Sequence, residues 1–169
     1  MASLIEELTQ IIEETTGCYK ELLIVANNKK DVIIQGDVPG LQTLTDYEQS
    51  LAGRLLRYEK KREEIIRDVC TVTNKKYHEM TVSYLVHLLE KQPKEQQALQ
   101  AAGEELVHLV QQVKEVNDLN KLLIEQSLDF VNYSVNVIKS SMDAPQGNSY
   151  EKKGNRYESS GNNFFDAKQ

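Results

Sequence analysis

Apolar residues recur at alternating spacings of three and four along most of the chain, and the longest such run extends from Gln97 to Ser140 without a proline. This spacing is typical of a heptad seam, a face of one helix that lies against partner helices. Because a helix rises about 1.5 Å per residue, this one would be about 65 Å long, too long for the interior of a compact globule. We therefore expect it to project as part of an elongated bundle. Its seam, the first stripe, consists of Leu99, Ala102, Leu106, Leu109, Val113, Val116, Asn120, Leu123, Ser127, Phe130, Ser134 and Val137.

The second half of this helix carries another apolar row, one residue out of phase with the first. We call it the second stripe, and it consists of Ile124, Leu128, Val131, Val135 and Ile138. Two adjacent rows make an apolar arc wider than a two-helix seam needs, so the surplus must contact something. Either another part of this chain or a partner covers it. Periodicity alone favours a third helix of the same chain.

The N-terminal part of the chain predicts a first helix that ends near Lys30. Ser3 and Glu6 have the spacing of a capping box at its start. Gly17, in its middle, indicates a close helix crossing or a bend. The β-branched cluster at residues 32–34 favours the packed end of this helix over a strand, because no other segment could pair with it as a strand.

A second helix is predicted from Val38 to Val72. Asp37 is a natural N-cap, and Pro39 falls in the first turn, where its missing N–H costs little. Glu48 and Arg62 stand at seam positions, where a charge is costly unless it is paired or lies at an open edge. They either set register or contact a partner, or they reach out of a loosely closed seam into water, which we favour.

A short third helix is predicted from Val82 to Glu90, with Thr81 as its cap, and Pro93 suits the first turn of the long helix. The 169 residues include only 8 Gly and 3 Pro, with 27% charged and 40% hydrophobic residues. This composition is typical of an all-helical protein. The fold class predicted is all-α, an elongated antiparallel bundle or coiled-coil hairpin with a long C-terminal helix.

The composition changes after Ser141. Residues 142–169 are rich in Gly, Ser and Asn and have no apolar period, so we expect a flexible tail that is disordered alone. The predicted organisation is therefore a helical domain, 1–141, and a polar tail, 142–169. Aromatic residues, which anchor short linear motifs, are interspersed in this tail. They are Tyr150, Tyr157, Phe164 and Phe165.

The charge and the cysteines limit the classes of partner and compartment. A net charge of −6 argues against a nucleic-acid partner and against an anionic membrane surface. The longest apolar run, 22–26, is too short to span a bilayer. Cys18 and Cys70 stand in apolar helical settings, which indicates a reduced, cytoplasmic protein.

Catalytic patterns are weak in this sequence. Glu105 and His108 have the Glu-x-x-His spacing that places two metal ligands on one helix face in di-iron proteins. A working site needs a second such pair, and the sequence contains none. No phosphate-binding loop or nucleotide-binding glycine motif is present. We therefore predict a binding protein, with no enzyme activity and no cofactor.

Two segments distinguish this sequence, NDLNKLLIEQSL from Asn117 to Leu128 and the segment from Leu44 to Arg62. Both resemble the FlgN-type flagellar export chaperones, and the second has the Glu and Arg of that family at matching positions. The two occur in the right order, with similar helix lengths and a trailing polar tail. The resemblance covers roughly residues 1–142.

The resemblance implies a cytoplasmic chaperone for the hook-filament junction proteins of the bacterial flagellum. Such chaperones hold the amphipathic C-terminal helical segment of their cargo, prevent premature assembly and deliver the cargo to the export gate. The second stripe would suit this role as a groove for an amphipathic helix. A tyrosine beyond the last helix contacts the export gate in this family, and Tyr150 and Tyr157 are both candidates. The cargo contacts expected are Asn117, Leu119, Asn120, Leu123, Ile124, Leu128, Val131, Val135 and Ile138.

Other functions remain open on the residues alone. A coiled-coil adaptor or dimerisation protein would use the second stripe as a self-association face. A metal-dependent enzyme would be built around Glu105 and His108. A chaperone for a different secretion cargo would share the fold and the groove and differ only in its partner.

Overall fold

The computed structural model describes residues 2–77 and 80–142. Within those ranges every regular element is a helix, so the all-α prediction is confirmed. The chain divides into two compact units, Met1–Asn132 and Tyr133–Gln169. The helices are α1 (Ala2–Gln35), α2 (Val38–Thr73), α3 (Val82–Leu88) and α4 (Pro93–Met142).

A tight turn joins α1 to α2. Gly36 has a φ of +69°, a backbone conformation that suits glycine. Asp37 then caps α2, because its Oδ1 accepts a hydrogen bond of 3.0 Å from the Gly40 amide. Pro39 lies in the first turn, as predicted. A Cβ at residue 40 would lie 2.2 Å from Asp37 Oδ2, so the cap also requires glycine there.

Two details predicted for α1 are wrong. The helix begins at Ala2, so Ser3 lies inside it, and the Ser3 hydroxyl donates to Glu7 Oε1 over 3.4 Å instead of forming a capping box with Glu6. Gly17 is exposed, and nothing lies within 4 Å of the position that a Cβ would take, so it does not mark a close helix crossing. The effect of this glycine is therefore to lower the helix propensity of α1 locally.

The end of α1 lies beyond the predicted position. The helix continues past Lys30 to Gln35, which places residues 32–34 in its last turns. Ile33 is buried, so the preference for a packed helix end over a strand is confirmed. Burial of Ile33 therefore stabilises the last turns of α1, where the heptad pattern is interrupted.

Paired charges fix the antiparallel register of α1 and α2. Lys29 Nζ lies 2.7 Å from Glu48 Oε2, and Arg54 Nη1 lies 2.9 Å from Glu21 Oε2. Glu48 therefore sets register across the hairpin and does not reach out of the seam, contrary to the interpretation that we favoured. Arg62 bonds to Glu59 on its own helix.

The core consists of two apolar clusters along these helices. One lies in the middle of the hairpin and is joined by α4 at a single position. It contains Cys18, Leu22, Val25, Leu51 and Val113. The other joins all four helices, and its members are Ile5, Leu8, Ile11, Ile12, Ile65, Ile66, Val69, Met80, Leu85, Leu89, Leu99 and Ala102.

The short helix α3 is held at both of its ends. Thr81 Oγ1 accepts a hydrogen bond of 3.1 Å from the Tyr84 amide, so the predicted cap is confirmed. Beyond its other end, Gln96 Nε2 donates to the Val86 carbonyl oxygen over 2.9 Å. Pro93 begins α4, in the first turn, where a proline is tolerated. These contacts join α3 to the start of the long helix.

Candidate partner-binding surface

The first stripe of α4 is buried in its N-terminal half. Its buried positions there are Leu99, Ala102, Leu109, Val113 and Asn120. Leu99, Ala102 and Val113 belong to clusters with residues of α1 and α2, as a heptad seam predicts. The other parts of the chain thus cover one apolar row of α4 over its first half.

Asn120 fixes the position of α4 against α1. Its Nδ2 donates a hydrogen bond of 2.7 Å to the Ala26 carbonyl oxygen, and its side chain is buried. The two helices run parallel, because Leu99 shares a cluster with Ile5 and Leu8 near the start of α1, and Asn120 bonds to Ala26 further along both helices. Since parallel helices rise equally per residue, the end of α1 at Gln35 lies level with about residue 129.

Near that level the apolar residues of α4 become exposed. Leu123 and Ile124 are half-buried, whereas Leu128 is 57% exposed and Val131 is 54% exposed. Leu119, on the other side of the same segment, is 43% exposed. The second stripe in the first unit is therefore an accessible apolar row. For the described residues, the prediction that a helix of the same chain covers this stripe, which periodicity favoured, is wrong.

The second unit continues this exposure along the last turns of α4. Val135 and Ile138, the last two members of the second stripe, are exposed there. Tyr133, Val137 and Met142 are exposed apolar or aromatic residues of the same turns. Large apolar side chains in water mark a surface for a partner when they are contiguous.

A concavity of about 370 Å³ adjoins the exposed row in the first unit. It brings together three predicted site residues, Asn117, Asn120 and Ile124, with residues that sequence reasoning missed. The missed residues are Lys29, Lys121 and Glu125. Lys29 comes from α1, and no local sequence pattern associates it with a segment some ninety residues later. Lys121 could have been predicted as a lining residue, because it is the neighbour of Asn120.

Leu122 is a further apolar residue that the stripes did not include. It is 49% exposed and stands outside both heptad rows. Because periodicity selects rows that face a partner helix, it passes over an apolar residue on the outer face. The exposure in the folded chain is what identifies it.

The Glu-x-x-His pair does not converge on a common site. Glu105 Oε1 lies 2.6 Å from Lys20 Nζ, in an exposed ion pair. His108 instead lines an apolar groove of about 720 Å³ between α3 and α4. Across residues 2–77 and 80–142, no group of three or more His, Cys, Asp or Glu side chains is placed to hold a metal ion.

The predictions for the tail are not tested by the described residues. Tyr150 and Tyr157 lie outside them, so the export-gate contact stays a prediction. The division at residue 141 also stays a prediction. In the described part of the chain, no helix combines the length and the apolar character needed to cross a membrane.

Comparison with known proteins identifies one family. The family model described as FlgN protein matches residues 1–158, which is most of the chain. No match is found among curated proteins or among solved structures. The matched range includes all four helices and the whole exposed row of α4.

Proposed function

The chain belongs to the FlgN family of flagellar export chaperones, and on that premise we propose that it binds the C-terminal amphipathic helical segment of hook-filament junction proteins. It acts in the cytoplasm, prevents premature assembly of these proteins and delivers them to the export gate. Its function is binding, and it requires no cofactor and no chemical step.

The exposed row of α4 is the observation that carries this proposal. Leu128 and Val131 lie near the level at which α1 ends, and more than half of each side chain is accessible. Burying a leucine or valine side chain contributes about 1.5–3 kcal/mol. An amphipathic helix that lies along this row would supply that burial, in the helix-in-groove mode of recognition.

The proposed contacts lie along one segment of α4, from Asn117 onward. Asn117 and Asn120 add polar groups at its N-terminal end, where the concavity lies. The contacts in the first unit are Asn117, Leu119, Asn120, Leu123, Ile124, Leu128 and Val131. The contacts in the second unit are Val135 and Ile138, which belong to the second stripe.

Binding is coupled to folding of the cargo in this proposal. The cargo segment is disordered before capture and becomes helical on the surface, and the ordering entropy limits the affinity. Such binding buries apolar area and therefore has a negative heat-capacity change. Release at the gate then requires a competing contact and not a reaction, and the family resemblance suggests Tyr150 or Tyr157 for the gate contact.

Calorimetric titration with C-terminal segments of the junction proteins of the same bacterium tests the proposal. The wild-type chain is expected to bind saturably with a negative heat-capacity change. Leu128→Asp replaces an apolar contact by a charge that would be buried unpaired, so we expect at least about 100-fold weaker binding.

Leu56→Asp is the matched control, because Leu56 is a leucine of α2 that is 59% exposed, against 57% for Leu128. This control is expected to bind like the wild type, and both variants should keep the helical circular dichroism of the parent. Equal binding by Leu128→Asp and the wild type would exclude the surface. A stable dimer without cargo, broken by Leu128→Asp, would assign the row to self-association instead.

A further inference from the structure

Lys121 continues the second stripe towards the N-terminus of α4. It stands three residues before Ile124, as Leu128 stands three residues before Val131, so the spacing from Lys121 to Val131 alternates three and four. The row that we propose for the cargo therefore begins with a cation. A lysine at such a seam position lowers the stability of a coiled coil but specifies its register.

Lys121 is accessible to a ligand that lies on this row. It is exposed and lines the concavity of about 370 Å³, together with Ile124 and with Lys29 of α1. Ile124 joins this concavity to the exposed row at Leu128, about one helical turn further along. A cargo helix that extends along the row past Ile124 would therefore cover Lys121 as well.

The two lysines that line the concavity differ in their counter-ions. Lys29 Nζ lies 2.7 Å from Glu48 Oε2, so its charge is compensated across the α1–α2 interface. Lys121 forms no ion pair with any residue that the structure describes. Its ammonium group is therefore the cation of this concavity that lacks a counter-ion.

Glu125 is the third charged residue of the concavity, and it stands beside the row instead of on it. It follows Ile124 directly, so it is turned from Ile124 by about 100° around the helix axis. A glutamate four residues after a lysine is also the less favourable order for a pair on one helix. Covering the row would therefore remove Lys121 from water and leave Glu125 at the edge of the contact.

Burial of Lys121 beneath a cargo helix requires a negative charge from that helix. A buried ammonium group without a counter-ion is costly, and a carboxylate at the matching position offsets this cost through a charge-assisted hydrogen bond. We propose that Lys121 binds the carboxylate of an Asp or Glu side chain on the apolar face of the cargo helix, within this concavity. This inference rests on the proposed function and adds the charged residue that sets the register of the cargo along α4.

A carboxylate scan of the cargo segments tests the inference. Each Asp and Glu of the C-terminal segments of the junction proteins is replaced singly by Asn or Gln, and each peptide is titrated against the wild-type chain and Lys121→Met. One replacement is expected to weaken binding to the wild type about tenfold, the effect of losing a charge-assisted hydrogen bond. Lys121→Met should weaken binding of the unmodified segment by a similar factor, and that replacement should then weaken it no further. Exchange of the two charges, Lys121→Glu with a lysine at that cargo position, should recover binding.

Lys114→Met is the matched control. Lys114 is exposed, stands seven residues before Lys121 and does not line the concavity, so this variant changes the net charge equally and should bind as the wild type does. Equal weakening by the two lysine variants would indicate a general charge effect and overturn the inference. Binding in which no Asp or Glu couples to Lys121, or in which only C-terminal amidation of the segment does, would also overturn it and leave the proposed function standing. Absence of binding by every unmodified segment would overturn both.

Discussion

The thiol of Cys18 lies 3.6 Å from the backbone carbonyl oxygen of Leu51, at the centre of the interface between α1 and α2. Both residues are fully buried. Burial raises the pKa of the Cys18 thiol, and this effect exceeds the opposing influence of the nearby Arg54. Burial at this interface therefore favours the neutral, unreactive form of the thiol.

Cys18 is expected to resist alkylation in the folded chain, because the thiolate is the reactive form and the sulfur is inaccessible. In a Cys70→Ala variant, labelling by iodoacetamide should be slow in buffer and fast in denaturing urea. The complementary Cys18→Ala variant should label faster in buffer, since Cys70 is only half-buried. Labelling of Cys18 at one rate with and without urea would contradict the burial.

Asn120→Asp should destabilise the fold by about 2 kcal/mol at pH 7. The carboxylate has the same shape as the amide but cannot donate to the Ala26 carbonyl oxygen, and it would be buried without compensation. Urea denaturation followed by circular dichroism measures the change. Asn117→Asp, the same substitution at an exposed position of α4, is the control and should alter the midpoint little. Equal midpoints for the two variants would contradict the structural role of Asn120.

Glu21 should contribute a pH-dependent part of the stability. Hydrogen bonds from Arg54, and secondarily from Tyr47, lower the pKa of this carboxyl below its usual value. A lowered pKa in the folded chain means that the contribution is complete above the usual pKa and is lost as pH falls through the lowered one. Glu21→Gln is therefore expected to be less stable than the wild type at pH 7, with a difference that shrinks towards about pH 3.

Urea denaturation at both pH values checks this expectation. Glu13→Gln is the control, because Glu13 is exposed and forms no ion pair among the residues that the structure describes. It should show no comparable change between the two pH values. A Glu21→Gln difference that grows on acidification would have the wrong sign and would exclude the Arg54 bond as its cause.

Gly17→Ala should stabilise the chain by about 0.5–1 kcal/mol, the difference in helix propensity between the two residues. The added methyl group has open space, since nothing lies within 4 Å of its position. Gly103→Ala makes the same change within α4, but there the Cβ would lie 3.1 Å from Val82 Cγ1. The second variant should therefore gain less stability or lose some. Thermal unfolding of the two variants side by side measures the difference.

The helix boundaries were largely predictable because their causes are local. Asp37, Thr81 and Pro93 each begin a helix through a cap or a first turn formed by neighbours in sequence. The capping box was wrong because Ser3 and Glu6 have the right spacing but the helix begins at Ala2, two residues before the start that this cap predicts. A motif of two residues cannot fix where its helix starts.

The sequence by itself determined four helices, their approximate ends and the first stripe that packs α4 on the hairpin, because heptad spacing is a property of consecutive residues. Only the tertiary structure decided how far that packing reaches. Two contacts join residues that are far apart in the chain, since Asn120 bonds to Ala26 and Lys29 pairs with Glu48. The exposure of Leu128 also depends on the position of distant segments. Periodicity states that a face is apolar, and the length and register of the neighbouring helices decide whether that face is covered.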